Sequence, residues 1–263
     1  MDKSVNLAWN VKIYTLDAQN WWNVRIDAQT GQLLDKYNQV LHCDFGAPDH
    51  NCASHKASSS NQVENVATNA TAAKTNSANT YNVFPMPIES PNHGPRSIVT
   101  DPADLSVSPY GWHDTDGVTG PEFTYTRGNN VDAYHDIFNN NSSNGDQPDG
   151  GPTLDFDFPL NLASNQPYTY VDAAVTNLFY WSNLMHDVWY HYGFDEVSGN
   201  FQVNNYGNGG VDGDHVRAEA MDGSGTNNAN FGTDEDGSTG RMQMYLWTSV
   251  AYLRVIQMIH CLF

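Results

Sequence analysis

Basic residues are scarce in this chain. Only 11 Lys and Arg stand against 30 Asp and Glu, a formal net charge of −19. A surface this negative repels a phosphodiester backbone, so nucleic-acid binding is excluded as a function class. Long apolar runs are also missing, and no stretch is long enough to cross a bilayer; a membrane partner is not expected. The first residues, MDKSVNLAWN, do not form a signal peptide. Cysteines number three. Cys43 and Cys52 are close enough in sequence for a small disulfide loop and equally compatible with two free thiols. Glycine-rich phosphate loops after a strand and nucleophile elbows are absent. Abundant Asn, Gly, Ser and Thr with little Lys suit an exported protein.

At 263 residues there is material for one large domain or two small ones. Residues 4 to 45 read as extended runs broken by an Asp-Ala-Gln-Thr-Gly turn at Asp27 to Gly31, with Gly31 free to take positive φ. Trp9, Trp21 and Trp22 are expected to cover one face of this small sheet. Residues 46 to 80 are small, polar and without hydrophobic period, the composition of a disordered linker and of a protease-sensitive segment. From Tyr81 onward, Pro-punctuated extended segments and Asp/Asn/Gly loops lead to a predicted strand at Leu154 to Leu160.

The strongest helical pattern lies between Tyr170 and Phe194. Apolar residues recur there at spacings of three and four (Ala174, Leu178, Trp181, Met185, Val188, Tyr192). Asp172 is the expected N-cap and Gly193 the residue just past the C-terminus. A further strand is predicted from His215 to Met221. A hairpin follows, with strands near Asn227 to Phe231 and Arg241 to Trp247. In the second strand Met242, Met244 and Leu246 alternate with Arg241, Gln243 and Tyr245, the period of a half-buried strand.

Several long words carry a resemblance. AAVTNLFYWSNLMHDVWYHYGFDEVSGNFQVNNYG, GDHVRAEAMDGSGTNNANF and GRMQMYLW, preceded by SPYGWHD and TRGNNVDAY, resemble the fungalysin family of secreted zinc metallopeptidases, with thermolysin-like peptidases as distant relatives. WWNVRIDAQTGQLL resembles the end of that family's pro-domain. The resemblance implies an α+β fold: the end of a β-rich pro-domain (1–45), a linker (46–80), the N-terminal β-rich lobe of a catalytic domain with one long buried helix (81–247), and an off-pattern tail (248–263). It implies an extracellular location, a peptide or protein substrate, and a pro-domain partner for the catalytic domain. It also implies that Asn228, Ala229, Asn230 and Phe231 form an edge strand holding extended substrate. Ala229 would act through its backbone and Asn228 through its side-chain amide.

The family's zinc chemistry needs His-Glu-x-x-His, and no such word occurs in these residues. The tail TSVAYLRVIQMIHCLF departs from the family pattern, as a chain truncated before its zinc helix would. The expectation is therefore a peptidase fragment, inactive alone, with no catalytic residue and no metal ligand of its own. The alternative is a non-catalytic peptide-binding or inhibitory module of the same descent.

Among the histidines, His186 and His191 lie about 140° apart on a helix and do not share a face. Asp187 and His191 are expected to pair across one turn or to share a metal. His113 and His135 sit beside aspartates in predicted loops, and His42, His50 and His55 gather near the cysteines. The acidic turns DPADLS, DTDG and TDEDGST raise calcium as a second cation, although none fits the twelve-residue helix-loop-helix pattern.

Overall fold

A computed structural model describes residues 7–15, 20–38, 40–42, 78–88, 90–143, 145–162 and 166–247. The cysteines, most of the linker and the tail after Trp247 lie outside the described residues.

The fold is α+β. Strands β1 (Ala8–Tyr14), β2 (Trp21–Asp27) and β3 (Leu33–Asn38) form an antiparallel sheet in sequence order. The turn between β2 and β3 forms as its residues demand. Asp27 Oδ1 accepts from the backbone N–H of Gln29 and Thr30, and Gly31 takes φ +72°. The three tryptophans do not share a face. Trp21 and Trp22 are consecutive in one strand and so point to opposite sides, and Trp9 is largely exposed. Lys36 Nζ sits 3.6 Å over the Trp22 ring.

Strand β4 (Val40–His42) leaves this sheet and joins another. That second sheet is five-stranded, in the order β4, β10 (Ala229–Gly232), β11 (Arg241–Leu246), β9 (Val216–Thr226), β7 (Val131–His135). The pairs β4–β10 and β10–β11 are antiparallel; β11–β9 and β9–β7 are parallel. A third sheet joins β6 (Ser97–Thr100), β5 (Thr80–Val83) and β8 (Asp155–Phe156). The strand expected over Leu154 to Leu160 is only two residues long, because Pro159 and the flanking polar groups end the pairing with β5.

One long helix, α1 (Val171–His191), packs on β5, β7 and β9. Asp172 is not its N-cap. Tyr170 holds that position without a side-chain cap, and Asp172 sits in the first turn, where its charge still complements the helix dipole. Gly193 takes φ +95°, the left-handed conformation expected just past the helix. Between α1 and the sheets lie Tyr81, Trp112, Phe156 and Phe179, all essentially solvent-free. Fully burying an aromatic of this size is worth roughly 1.5–3 kcal/mol.

His113 belongs to this core. It stacks on Phe179 at 4.8 Å and on Phe156 at 5.4 Å. Its Nδ1 lies 3.0 Å from the Arg127 carbonyl, which can only accept, so Nδ1 carries the proton and Nε2 accepts from Tyr81 OH at 2.8 Å. Burial pushes its pKa down to about 4, and both nitrogens are engaged, so His113 is a neutral structural residue. The helical pair expected between Asp187 and His191 does not form. Asp187 instead gathers Ser108 Oγ, Trp112 Nε1, the Asp104 backbone N–H and the His186 ring, while His191 turns to Asp104 at 2.8 Å. A buried carboxylate is stabilised by several donors at once, and His191 at the exposed helix end offers only one.

Candidate functional site

The hairpin forms with its strands trimmed at the ends: β10 starts at Ala229 and β11 stops at Leu246. Their register places Ala229 opposite Met244 and Phe231 opposite Met242. Strand β11 is not half-buried. Arg241, Gln243 and Tyr245 are as buried as Met242 and Met244. Their face of the sheet meets a second, polar layer instead of water.

That layer is a connected network. Asn230 Nδ2 donates to Tyr245 OH, which donates onward to Gln243 Oε1 at 3.4 Å. Gln243 Nε2 donates to Asp222 Oδ2 at 3.0 Å and Ser224 Oγ at 3.1 Å, and Arg241 donates to Gln243 Oε1 at 2.9 Å and to Asn141 Oδ1. Below lie Asp136, Glu219 and Asp222, all buried, with one oxygen from each within 4.8 Å of the others. Glu219 Oε1 accepts from Tyr134 OH at 2.7 Å. Its Oε2 has no hydrogen bond and lies 3.8 Å from Arg241 Nε. Burial, with Asp222 and Asp136 nearby, pushes the Glu219 carboxyl up to about 9.

The four residues singled out for substrate take different places. Asn228 precedes the strand and is half-buried. Its Oδ1 accepts from the Ala229 N–H at 2.7 Å and its carbonyl from the Tyr245 N–H at 3.2 Å. Its amide nitrogen has no protein partner among the described residues. Ala229 is fully buried, so only its backbone is available. Asn230 commits its side chain to Tyr245, and its backbone sits opposite Gln243 on one side and His42 on the other. Phe231 is half-buried and packs edge-on to Phe201 at 5.6 Å.

The main difference from expectation concerns the edge itself. Strand β10 is flanked on both sides. On the side away from β11 it carries β4, antiparallel, with Asn230 opposite His42, Phe231 opposite Leu41 and Gly232 opposite Val40. The outer edge is therefore β4, contributed by the N-terminal region. Gly232 permits this approach: a Cβ there would stand 3.0 Å from the Trp21 ring and 3.3 Å from Val40. Lys12 on β1 adds a second contact, reaching Asp234 at 2.8 Å and Glu235 at 2.7 Å in the hairpin tip. The sequence signal for β4 is three residues, VLH, at the end of an extended run; nothing in it names a partner nearly 190 positions away.

Among the described residues, histidines are not gathered into a metal site. His186 bonds Asp187, His191 bonds Asp104, and His135 lies 3.8 Å from Asp146. The two groups able to hold a cation among the described residues consist of carboxylates only. A zinc peptidase centre needs two imidazoles, so these residues do not fit that metal.

Residues 80–258 match the family model of the fungalysin metallopeptidases (M36). The chain is 46% identical over 169 residues to extracellular metalloproteinase 1 of Trichophyton equinum, covering 64% of this chain and 27% of that protein. It is 46% identical over 175 residues to extracellular metalloproteinase 5 of Trichophyton rubrum, covering 64% and 26%. Against extracellular metalloproteinase 5 of Arthroderma otae it is 43% identical over 192 residues, 73% of this chain and 29% of that protein. The chain thus spans about a quarter of the length of these relatives. A match of this extent, on the helix, the β9–β11 unit and the loops between them, shows that the chain belongs to the fungalysin metallopeptidase family.

Proposed function

We propose that these residues form the substrate-edge half of the cleft of a secreted metalloendopeptidase, and that the N-terminal region acts as a pro-segment whose strand β4 lies where substrate binds. The observation that carries this reading is the β4–β10 pairing at Asn230, Phe231 and Gly232. An extended peptide recognised by main-chain hydrogen bonds would add to β10 in the same way. Each such bond is worth roughly 0.5–1.5 kcal/mol net, so a few of them with one side-chain anchor give modest, sequence-tolerant binding. The polar network under β10 fixes the strand from below, since Asn230 is tied through Tyr245 and Gln243 to Asp222. The extracellular names of the relatives and the charge of −19 support a secreted setting.

The catalytic share of the reaction is not among these groups. The family implies zinc, which would supply Lewis-acid chemistry and which the described residues would not hold; the chain's own contribution is to hold and align the substrate backbone. The 263 residues contain no His-Glu-x-x-His word, so the purified chain is expected to bind extended peptides without cleaving them. Casein hydrolysis measured together with zinc content checks this. Stoichiometric zinc with turnover abolished by a chelator would contradict it.

Asn228 supplies the second check. Its amide nitrogen, at the head of β10, has no protein partner among the described residues, and a substrate carbonyl is its natural partner. Asn228→Ala should weaken peptide binding by roughly fivefold, about 1 kcal/mol. Asn230→Ala should act mainly on stability, because that amide is already bonded within the sheet. Equal binding losses for the two variants at equal stability would argue against these roles.

A further inference from the structure

The loop between β6 and β7 carries Asp114, Asp116 and Glu122, and one carboxylate oxygen from each lies within 4.8 Å of the others. Each carboxylate uses one oxygen to shape the loop. Asp114 Oδ1 accepts from Tyr206 OH at 2.8 Å and the Gly117 N–H at 3.0 Å. Asp116 Oδ1 accepts from the Val118 N–H at 2.8 Å. Glu122 Oε2 accepts from the Thr115 N–H and, at 3.4 Å, from Thr115 Oγ1. Every one of these bonds leaves a second oxygen open.

At Asp114 the open oxygen is the telling one. The residue is fully buried, yet its Oδ2 has no hydrogen-bond partner. A carboxylate oxygen withdrawn from water without a donor is strongly unfavourable unless something cationic meets it. Burial raises the Asp114 carboxyl, and the Asp116 charge adds to the rise. Among the described residues none of the three carboxylates forms an ion pair, so no described side chain supplies a cation there. The buried trio Asp136, Glu219 and Asp222 differs on this point, because Arg241 stands 3.8 Å from the open oxygen there.

We infer that Asp114, Asp116 and Glu122 bind a hard divalent cation, calcium above all, at a site separate from the peptide-binding edge. The donor set is all oxygen, which suits calcium, magnesium or manganese and disfavours zinc. Asp114 is the buried anchor, while Asp116 and Glu122 are exposed. That arrangement leaves room for the waters that complete calcium's six to eight ligands. A bound ion would pin the loop to Tyr206, whose ring packs on Tyr110 at 5.4 Å. The inference does not depend on how β10 is used.

Terbium is a suitable probe, since it takes calcium's place and is excited through a neighbouring tyrosine, here Tyr206. The chain stripped with EDTA should give saturable luminescence on adding terbium, reversed by excess calcium. Asp116→Asn with Glu122→Gln, at exposed positions, should weaken terbium binding at least tenfold. Glu235→Gln in the hairpin tip should leave it unchanged. Calcium should raise the melting temperature of the parent chain and not that of the double variant, a readout that also reports whether the variant is folded. If the double variant unfolds, Asp116→Asn alone must still weaken binding severalfold. Absence of a saturable signal, or a folded double variant that binds terbium as tightly as the parent, overturns the site.

Discussion

Removing residues 1–45 should raise the affinity of the chain for an extended peptide by about 10- to 100-fold, the equivalent of roughly 1.4–2.7 kcal/mol. In the intact chain the position beside β10 is held by β4, three residues long, paired at Asn230, Phe231 and Gly232. A tethered strand competes at an effective concentration in the millimolar range, far above any practical peptide concentration. Its hold is nonetheless modest, because so short a strand makes few bonds and each is worth roughly 0.5–1.5 kcal/mol. The Trp21 packing against Gly232 and the Lys12 pairs with Asp234 and Glu235 add to it. Deletion removes β1–β3 as well, so Leu41→Pro is the sharper variant: proline fixes φ and removes a strand donor in β4 alone. Fluorescence anisotropy with a labelled peptide measures both. Equal affinity in the parent, the deletion and the Leu41→Pro chains would show that β4 does not occupy the peptide's place.

Glu219→Gln should gain stability over the parent as pH rises from 5 to 8. The difference between the two chains is the quantity to read, because His113 and His215, held near 4 by burial, titrate over the same range with the opposite sign. Burial lifts the Glu219 carboxyl to about 9, against 4.5 for an exposed glutamate. Between these values the folded chain keeps a proton that the unfolded chain has released, so each unit of pH favours unfolding by about 1.4 kcal/mol. Below the lower value both states are protonated and the effect vanishes; above the upper one it is complete. Over pH 5 to 8 the difference reaches at most about 4 kcal/mol. Glutamine keeps the acceptor for Tyr134 OH and carries no charge, so the variant should match the parent near pH 5 and exceed it near pH 8. Thermal melts across that range decide the matter. A parent-to-variant difference that does not change across that range would mean that Glu219 is ionised and that Arg241 carries its counter-charge.

The parts of this fold legible in the sequence are those set by local chemistry. Asp27 to Gly31 forms its turn because the aspartate and the glycine suffice for it. Helix α1 follows from a 3.6-residue apolar period, and the hairpin from two short runs around a Gly/Asp/Ser tip. What escaped is what depends on distant partners. The alternation in β11 reads as one wet face and one dry face, since nothing in Arg241, Gln243 and Tyr245 announces that Asp222 and Glu219 will lie beneath them. Asp187 looks like the partner of His191 one turn on, yet the loop at Ser108 and Trp112 outbids that exposed histidine. Strand β4 is the extreme case. Three residues cannot specify a register, and the strand forms because β10 offers a row of unpaired backbone groups and Gly232 leaves space for the approach.

Amide hydrogen exchange at residues 230–232 tests the central claim most directly. The amides of β10 that face β4 should be protected in the intact chain, exchange freely once residues 1–45 are removed, and regain protection when an extended peptide is added. Protection that persists without residues 1–45, or a bound peptide that protects other residues and leaves β10 open, would contradict the assignment of β10 as the shared seat of pro-segment and substrate.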